Sequence, residues 1–110
     1  MDELDARPAL ETVRDFLGAN VADAENFDEI RADQLQLAQV STRAIRRDLA
    51  ALEALLADPP SSPGSLARLV GWEGNWVLDD PSDAAAAQFL RDLATVLRNV
   101  LDEASRTGHP

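Results

Sequence analysis

The chain has 110 residues, 20 acidic and 10 basic, for a formal charge of -10, which fits a single domain and opposes general binding to nucleic acid or an anionic membrane. It contains no Cys, no Tyr and no Lys, and His109 is the only imidazole. Disulfides, thiolate metal sites and thiol nucleophiles are thereby excluded, leaving carboxylates, hydroxyls and Arg as the chemical repertoire.

Apolar residues make up 45% of the chain and aromatic ones 5%, so the core must be built from Leu, Val and Ala, the composition of close-packed helices. The opening residues Met1-Asp2-Glu3-Leu4-Asp5 lack the basic-then-apolar order of a signal peptide, and no stretch approaches the roughly 20 apolar residues of a membrane span. A cytoplasmic protein is expected, with no membrane partner. The exclusive use of Arg and the abundance of Ala predict a GC-rich bacterial source.

In chain order, the first predicted helix runs from about Pro8 to Leu17, with Pro8 at its first position, Leu10, Val13 and Leu17 at helical spacing, and Gly18 as a stop. The second runs from about Asn26 or Asp28 to Ala57, ended by Asp58-Pro59-Pro60. Its stripe is Ile30, Leu37, Val40, Ala44, Leu52 and Leu55, widened by Ile45, Leu49 and Leu56. At 1.5 Å per residue it would reach about 45 Å, long for so small a domain. Val40-Ser41-Thr42 is its weakest stretch, because Ser and Thr compete for backbone hydrogen bonds.

A third helix is expected after Ser62 as cap and Pro63 in the first turn, carrying Leu66, Leu69 and Val70. Gly71 and Gly74 weaken its end. The fourth has the clearest start: Asp80 as N-cap, Pro81 at the first position and Asp83 in the first turn, followed by Phe89, Leu90, Leu93, Val96, Leu97, Val100 and Leu101, ending near 106–108. Apart from Trp76-Val77-Leu78 nothing alternates like a strand. The fold class expected is all-α, a compact four-helix bundle-like single domain over 1–110 with one long central helix and frayed ends at about 1–6 and 107–110.

Charge is uneven. Residues 1–30 hold nine acids against two arginines, with Asp23, Glu25, Asp28 and Glu29 bunched in or beside the loop that feeds the second helix. They either cap that helix or form a surface directed at a basic partner. The run Asp79-Asp80-Pro81-Ser82-Asp83 has the letters of an aspartate-rich magnesium motif, but a helix start accounts for Asp80 and Asp83, and no metal or other cofactor is expected. Asp23 to Glu29 lacks the central Gly and the spacing of a calcium loop. His109 sits too near the chain end to serve a Ser nucleophile, so no catalytic residue is assigned and the protein is not expected to be an enzyme.

Trp72 and Trp76, the only tryptophans, are four apart and can share one face. Either they plug the end of an aliphatic core or at least one anchors a partner, with Arg68 four residues earlier in position to stack on Trp72.

Residues 40–53, Val-Ser-Thr-Arg-Ala-Ile-Arg-Arg-Asp-Leu-Ala-Ala-Leu-Glu, resemble the recognition helix of helix-turn-helix repressors of the DeoR type. The resemblance implies a DNA-binding regulator in which Ser41, Thr42, Arg43, Arg46 and Arg47 face the groove. Gln39 stands where that pattern has Gly, the preceding helix is out of register at Gln34 and Leu35, and residues 54–60 lack the Gly-led entrance to a β wing. A structural role for the same arginines is a basic stripe paired with Asp48, Glu53 or the acidic front of the chain.

The function expected from these features is a non-catalytic acidic protein-protein interaction module, of the immunity or antitoxin type, that neutralises a basic protein partner through Asp23, Glu25, Asp28, Glu29, Arg68, Trp72 and Trp76. The alternatives are the DNA-binding regulator and a self-associating helical protein, a homo-oligomer.

Overall fold

A computed structural model describes residues 3–59, 62–76, 78 and 82–106. Five helices account for most of them, and no strand occurs among the described residues. They are α1 (Glu3–Phe16), α2 (Phe27–Val40), α3 (Arg43–Ala57), α4 (Ser65–Arg68) and α5 (Asp83–Arg106). Two of them continue into a wider π turn: α1 through Leu17–Val21 and α4 through Leu69–Glu73.

The central scaffold is α5, whose inward positions Ala86, Phe89, Leu90, Leu93, Ala94, Leu97 and Val100 recur at threes and fours, so that one apolar stripe runs its whole length. Here α3 packs against both α1 and α5, while α2 and α4 pack mainly on α5. Leu17, Ile30, Ile45, Leu52, Leu90, Leu93 and Leu97 are the largest apolar side chains fully withdrawn from water. Truncating such a leucine to Ala typically costs about 2–5 kcal/mol. No helix among the described residues is long and apolar enough to cross a membrane.

The long second helix is interrupted. Ser41 adopts an extended backbone with φ -163° and ψ 138°, its N–H still reaching the Leu37 carbonyl at 2.9 Å, and its hydroxyl accepting from the Arg43 N–H at 3.2 Å. The Ser side chain thus takes over a backbone bond that a continuous helix would supply, which is the competition anticipated for this stretch. The break lets α2 and α3 run in opposite senses along α5. Phe27 lies against Phe89 and Leu35 and Ala38 share a cleft with Leu101, whereas Glu53 reaches Arg98 at 2.8 Å and Arg46 lies by Ser105.

Other helix limits also differ from expectation. The first helix begins at Glu3, so Pro8 lies inside it, and Gly18 does not stop it but sits in the π turn. The α4 helix begins at Ser65 rather than at Pro63, because Gly64 takes a left-handed turn with φ 83°. At the start of α5, the Ser82 hydroxyl accepts from the Ala85 N–H at 3.1 Å and acts as the cap; Asp79, Asp80 and Pro81 lie outside the described residues, as do Val77 and His109. Leu37 and Val40, expected in the core stripe, are exposed, because α2 turns Ile30 and Gln34 inward, with Leu35 and Ala38 partly buried against the core, and leaves Leu37 and Val40 on its outer side.

Candidate functional site

The two π turns come together. Gly74, just after the second, is buried with its α-carbon turned toward the first: a β-carbon there would stand 2.9 Å from the Val70 carbonyl oxygen, 3.6 Å from Val21 and 3.7 Å from Leu17. The Asn75 amide donates to the Ala22 carbonyl at 3.5 Å, tying the segment after the second π turn to the loop after the first. π turns are rare in proteins, well under 1% of residues, and concentrate at functional sites. Two in contact within one small chain single out this end of the molecule.

The acidic loop lies at the same end. Asn26 caps α2 through its side-chain oxygen, which accepts from the Glu29 N–H at 2.9 Å. In return the Glu29 carboxylate accepts from the Glu25 N–H at 3.1 Å, a reciprocal arrangement like a capping box. Glu29 is therefore committed to the helix start. The exposed side chains of Asp23, Glu25 and Asp28 have no hydrogen-bond or ion-pair partner among the described residues. Of the four bunched acids, one caps and three stand open to solvent.

The tryptophans part company. Trp76 is half-buried in a three-ring cluster, 5.6 Å from Phe27 and 5.0 Å from Phe89 between ring centroids. It closes the core beside the acidic loop. Trp72 is 82% exposed. The backbone explains the split: the π turn shifts the helical phase, and Asn75 then takes a left-handed conformation with φ 48°, so residues four apart no longer share a face. Trp72 and Arg68 line a cleft of about 230 Å³ with Leu10, Arg14, Leu69 and Glu73, and Arg14 lies 3.9 Å from Glu73 across it.

Two carboxylates are perturbed elsewhere. Asp83 accepts from the backbone N–H groups of Gly64 at 2.7 Å and Ala67 at 3.0 Å. The Ala67 bond, then the Gly64 bond, hold its pKa below the usual carboxylate value. Asp83 thus closes the start of α4. Asp48, in α3, is buried, and burial raises its pKa against the opposing pull of the Arg47 guanidinium at 3.3 Å. No group of three or more His, Asp or Glu side chains placed to hold a metal ion occurs among the described residues.

The arginines of residues 40–53 do not form the expected paired stripe. Among the described residues, Arg47 alone of the three meets an acid, Asp48; Glu53 pairs with Arg98 of α5, and Arg46 donates to the Thr42 hydroxyl at 3.2 Å. A capping role was among those expected for Glu29, whereas the paired π turns and the reach of Asp83 to α4 were not anticipated from the sequence. Of the three, only the cap had a local signal, in the Asn26-to-Glu29 spacing. No protein-family model matches the chain, and neither the curated proteins nor the solved structures contain a match.

Proposed function

We propose that the chain is a non-catalytic, cytoplasmic protein-binding module that engages a basic partner through the end where the two π turns and the acidic loop meet. The observation that carries this reading is Trp72, left 82% exposed beside Arg68 in the cleft formed with α1, while the π turn that holds it also contacts the turn leading into the acidic loop. Trp and Arg dominate interface hot spots, and a Trp side chain removes on the order of 150–250 Å² from water when covered. Asp23, Glu25 and Asp28 supply the complementary field that speeds encounter with a cationic surface. An acidic bacterial neutraliser of the immunity or antitoxin type is the form of module that these features fit best.

The DNA-binding alternative has Arg43 and Arg46 in its favour. Against it stand the charge of -10 and the connection at Ser41–Thr42, across which α2 and α3 turn to pack on α5 instead of chiefly on each other.

Affinity capture with the immobilised protein tests the proposal. The wild type should retain a basic protein; Trp72→Ala should weaken that binding at least about tenfold, the scale of a hot spot, and Asp23→Asn with Asp28→Asn should weaken it further. Trp72→Ala and Asp23→Asn should leave the melting temperature unchanged, because both side chains are exposed, and Asp28→Asn should lower it only slightly, through loss of a charge in the first turn of α2. A partner held equally well by the variants, or turnover by the wild type in a hydrolase panel, would sink the reading.

A further inference from the structure

At the opposite end of α2 a cleft of about 620 Å³ opens between the Ser41–Thr42 corner and the last turns of α5. Its lining is mixed: Leu35, Ala38, Leu101 and Ala104 supply an apolar strip between α2 and α5, flanked by Gln39, Ser41, Thr42, Arg46, Glu103 and Ser105. Val40, 85% exposed, forms the lip, and Leu37 is 38% exposed one turn earlier. Two such side chains beside an apolar strip form an uncovered surface.

Among the described residues, the unpaired charges around the cleft are Arg46 in its lining and Arg43 beside it, with Asp33 two turns before Val40 on α2 the exposed carboxylate on that helix that they must outweigh. The acids nearest the cleft are already engaged, Glu103 with Arg31 at 2.6 Å and Asp102 with Arg106. Arg43 and Arg46 have no acidic partner among the described residues, and Arg46 lines the cleft. From Phe27 to Val40 the helix spans about 20 Å, more than twice the screening length of roughly 8 Å at physiological salt. The acidic loop at one end of α2 therefore does not cancel the cations at the other.

The geometry points to a second docking surface, which takes an acidic amphipathic helix of a partner protein: apolar side chains enter the cleft between α2 and α5, and carboxylates meet Arg43 and Arg46. Such a segment matches both features at once. A nucleic acid duplex would set phosphates on the arginines yet leave the apolar strip in water. A second copy of this chain would offer its loop carboxylates and the exposed Trp72, but on a loop and a π turn rather than on one amphipathic helix, and light scattering tests for it.

The test is fluorescence anisotropy with a labelled synthetic peptide carrying Leu at helical spacing and Glu elsewhere. Comparison probes are the same peptide with Lys for Glu and a labelled DNA duplex; light scattering follows self-association. Saturable binding of the acidic peptide is expected, weakened at least about tenfold by Arg43→Glu with Arg46→Glu and separately by Val40→Asp, and unchanged by Asp23→Asn or Trp72→Ala. Circular dichroism checks that the exposed substitutions leave the fold intact, and Arg43→Gln with Arg46→Gln replaces the reversal if it does not. The proposal is overturned if the acidic peptide does not saturate or binds the variants like the wild type. It also fails if the Lys peptide or the duplex binds more tightly, or if Val40→Asp instead dissolves a dimer.

Discussion

Asp83 and Asp48 are carboxylates whose environments push them in opposite directions, and each leaves a mark on stability against pH. Two backbone N–H bonds depress the Asp83 pKa. Its contribution is fully present above its unfolded value near 3.8 and is lost as pH falls through the lower folded value. Asp83→Asn, which keeps one acceptor and loses the charge, should lower the melting temperature at neutral pH, with the deficit shrinking in strong acid. Asp48 has the reverse sign: burial raises its folded pKa, so ionisation opposes folding above that value and the penalty disappears as pH falls toward 3.8. Asp48→Asn should raise the melting temperature at pH 7 and give no gain at acid pH. Calorimetric scans of both variants across pH check the pair. The place of Asp83 in the first turn of α5 was legible in the sequence because helix-start signals are local, although the cap was expected at Asp80 and the Ser82 hydroxyl caps the Ala85 N–H. The second duty of Asp83, to N–H groups 16 and 19 residues earlier, was not legible, because only the packing of α4 on α5 brings them together.

Among the elements, α5 and the break at Ser41 follow from local patterns: a regular apolar stripe in one case, competing hydroxyls in the other. The π turns do not. Gly18, Gly71 and Gly74 read as weak points or stops, yet Gly74 is where the backbone leaves no room for a β-carbon, which would stand 2.9 Å from the Val70 carbonyl of its own turn. The expectation that Trp72 and Trp76 share a face failed in the same segment, where the π turn and the left-handed Asn75 change the helical phase. Gly74→Ala should therefore destabilise the fold by about 1–3 kcal/mol, the usual cost of overpacking, since the added carbon meets backbone at Val70 and backbone cannot rotate away. Denaturant unfolding measures this. Gly71→Ala, which meets nothing within 4 Å, is the matched control and should be nearly silent.

Over the whole molecule, the surplus negative charge acts at long range and Trp72 at contact, so the two should separate in kinetics. For the basic partner, the association rate should fall steeply with added salt and with Asp23→Asn or Asp28→Asn, while Trp72→Ala should act mainly on dissociation. Surface plasmon resonance at several salt concentrations resolves these effects.

The manner in which α2 is held carries a further consequence. Of its fourteen residues only Ile30 and Gln34 are buried, and Gln34 keeps one buried oxygen, Oε1, without a hydrogen-bond partner, although its amide donates to Asn20 at 3.1 Å. A segment with so few withdrawn side chains and one frustrated polar atom is the natural first unit to detach, and its amide protons should exchange with deuterium sooner than those of α3 or α5. The carboxylate face sits at its head and the arginine-rimmed cleft at its tail. A ligand that clamps either extremity quiets the whole rod, so loading one extremity should make loading the other easier, a cooperativity carried by damped motion rather than by any shift in shape.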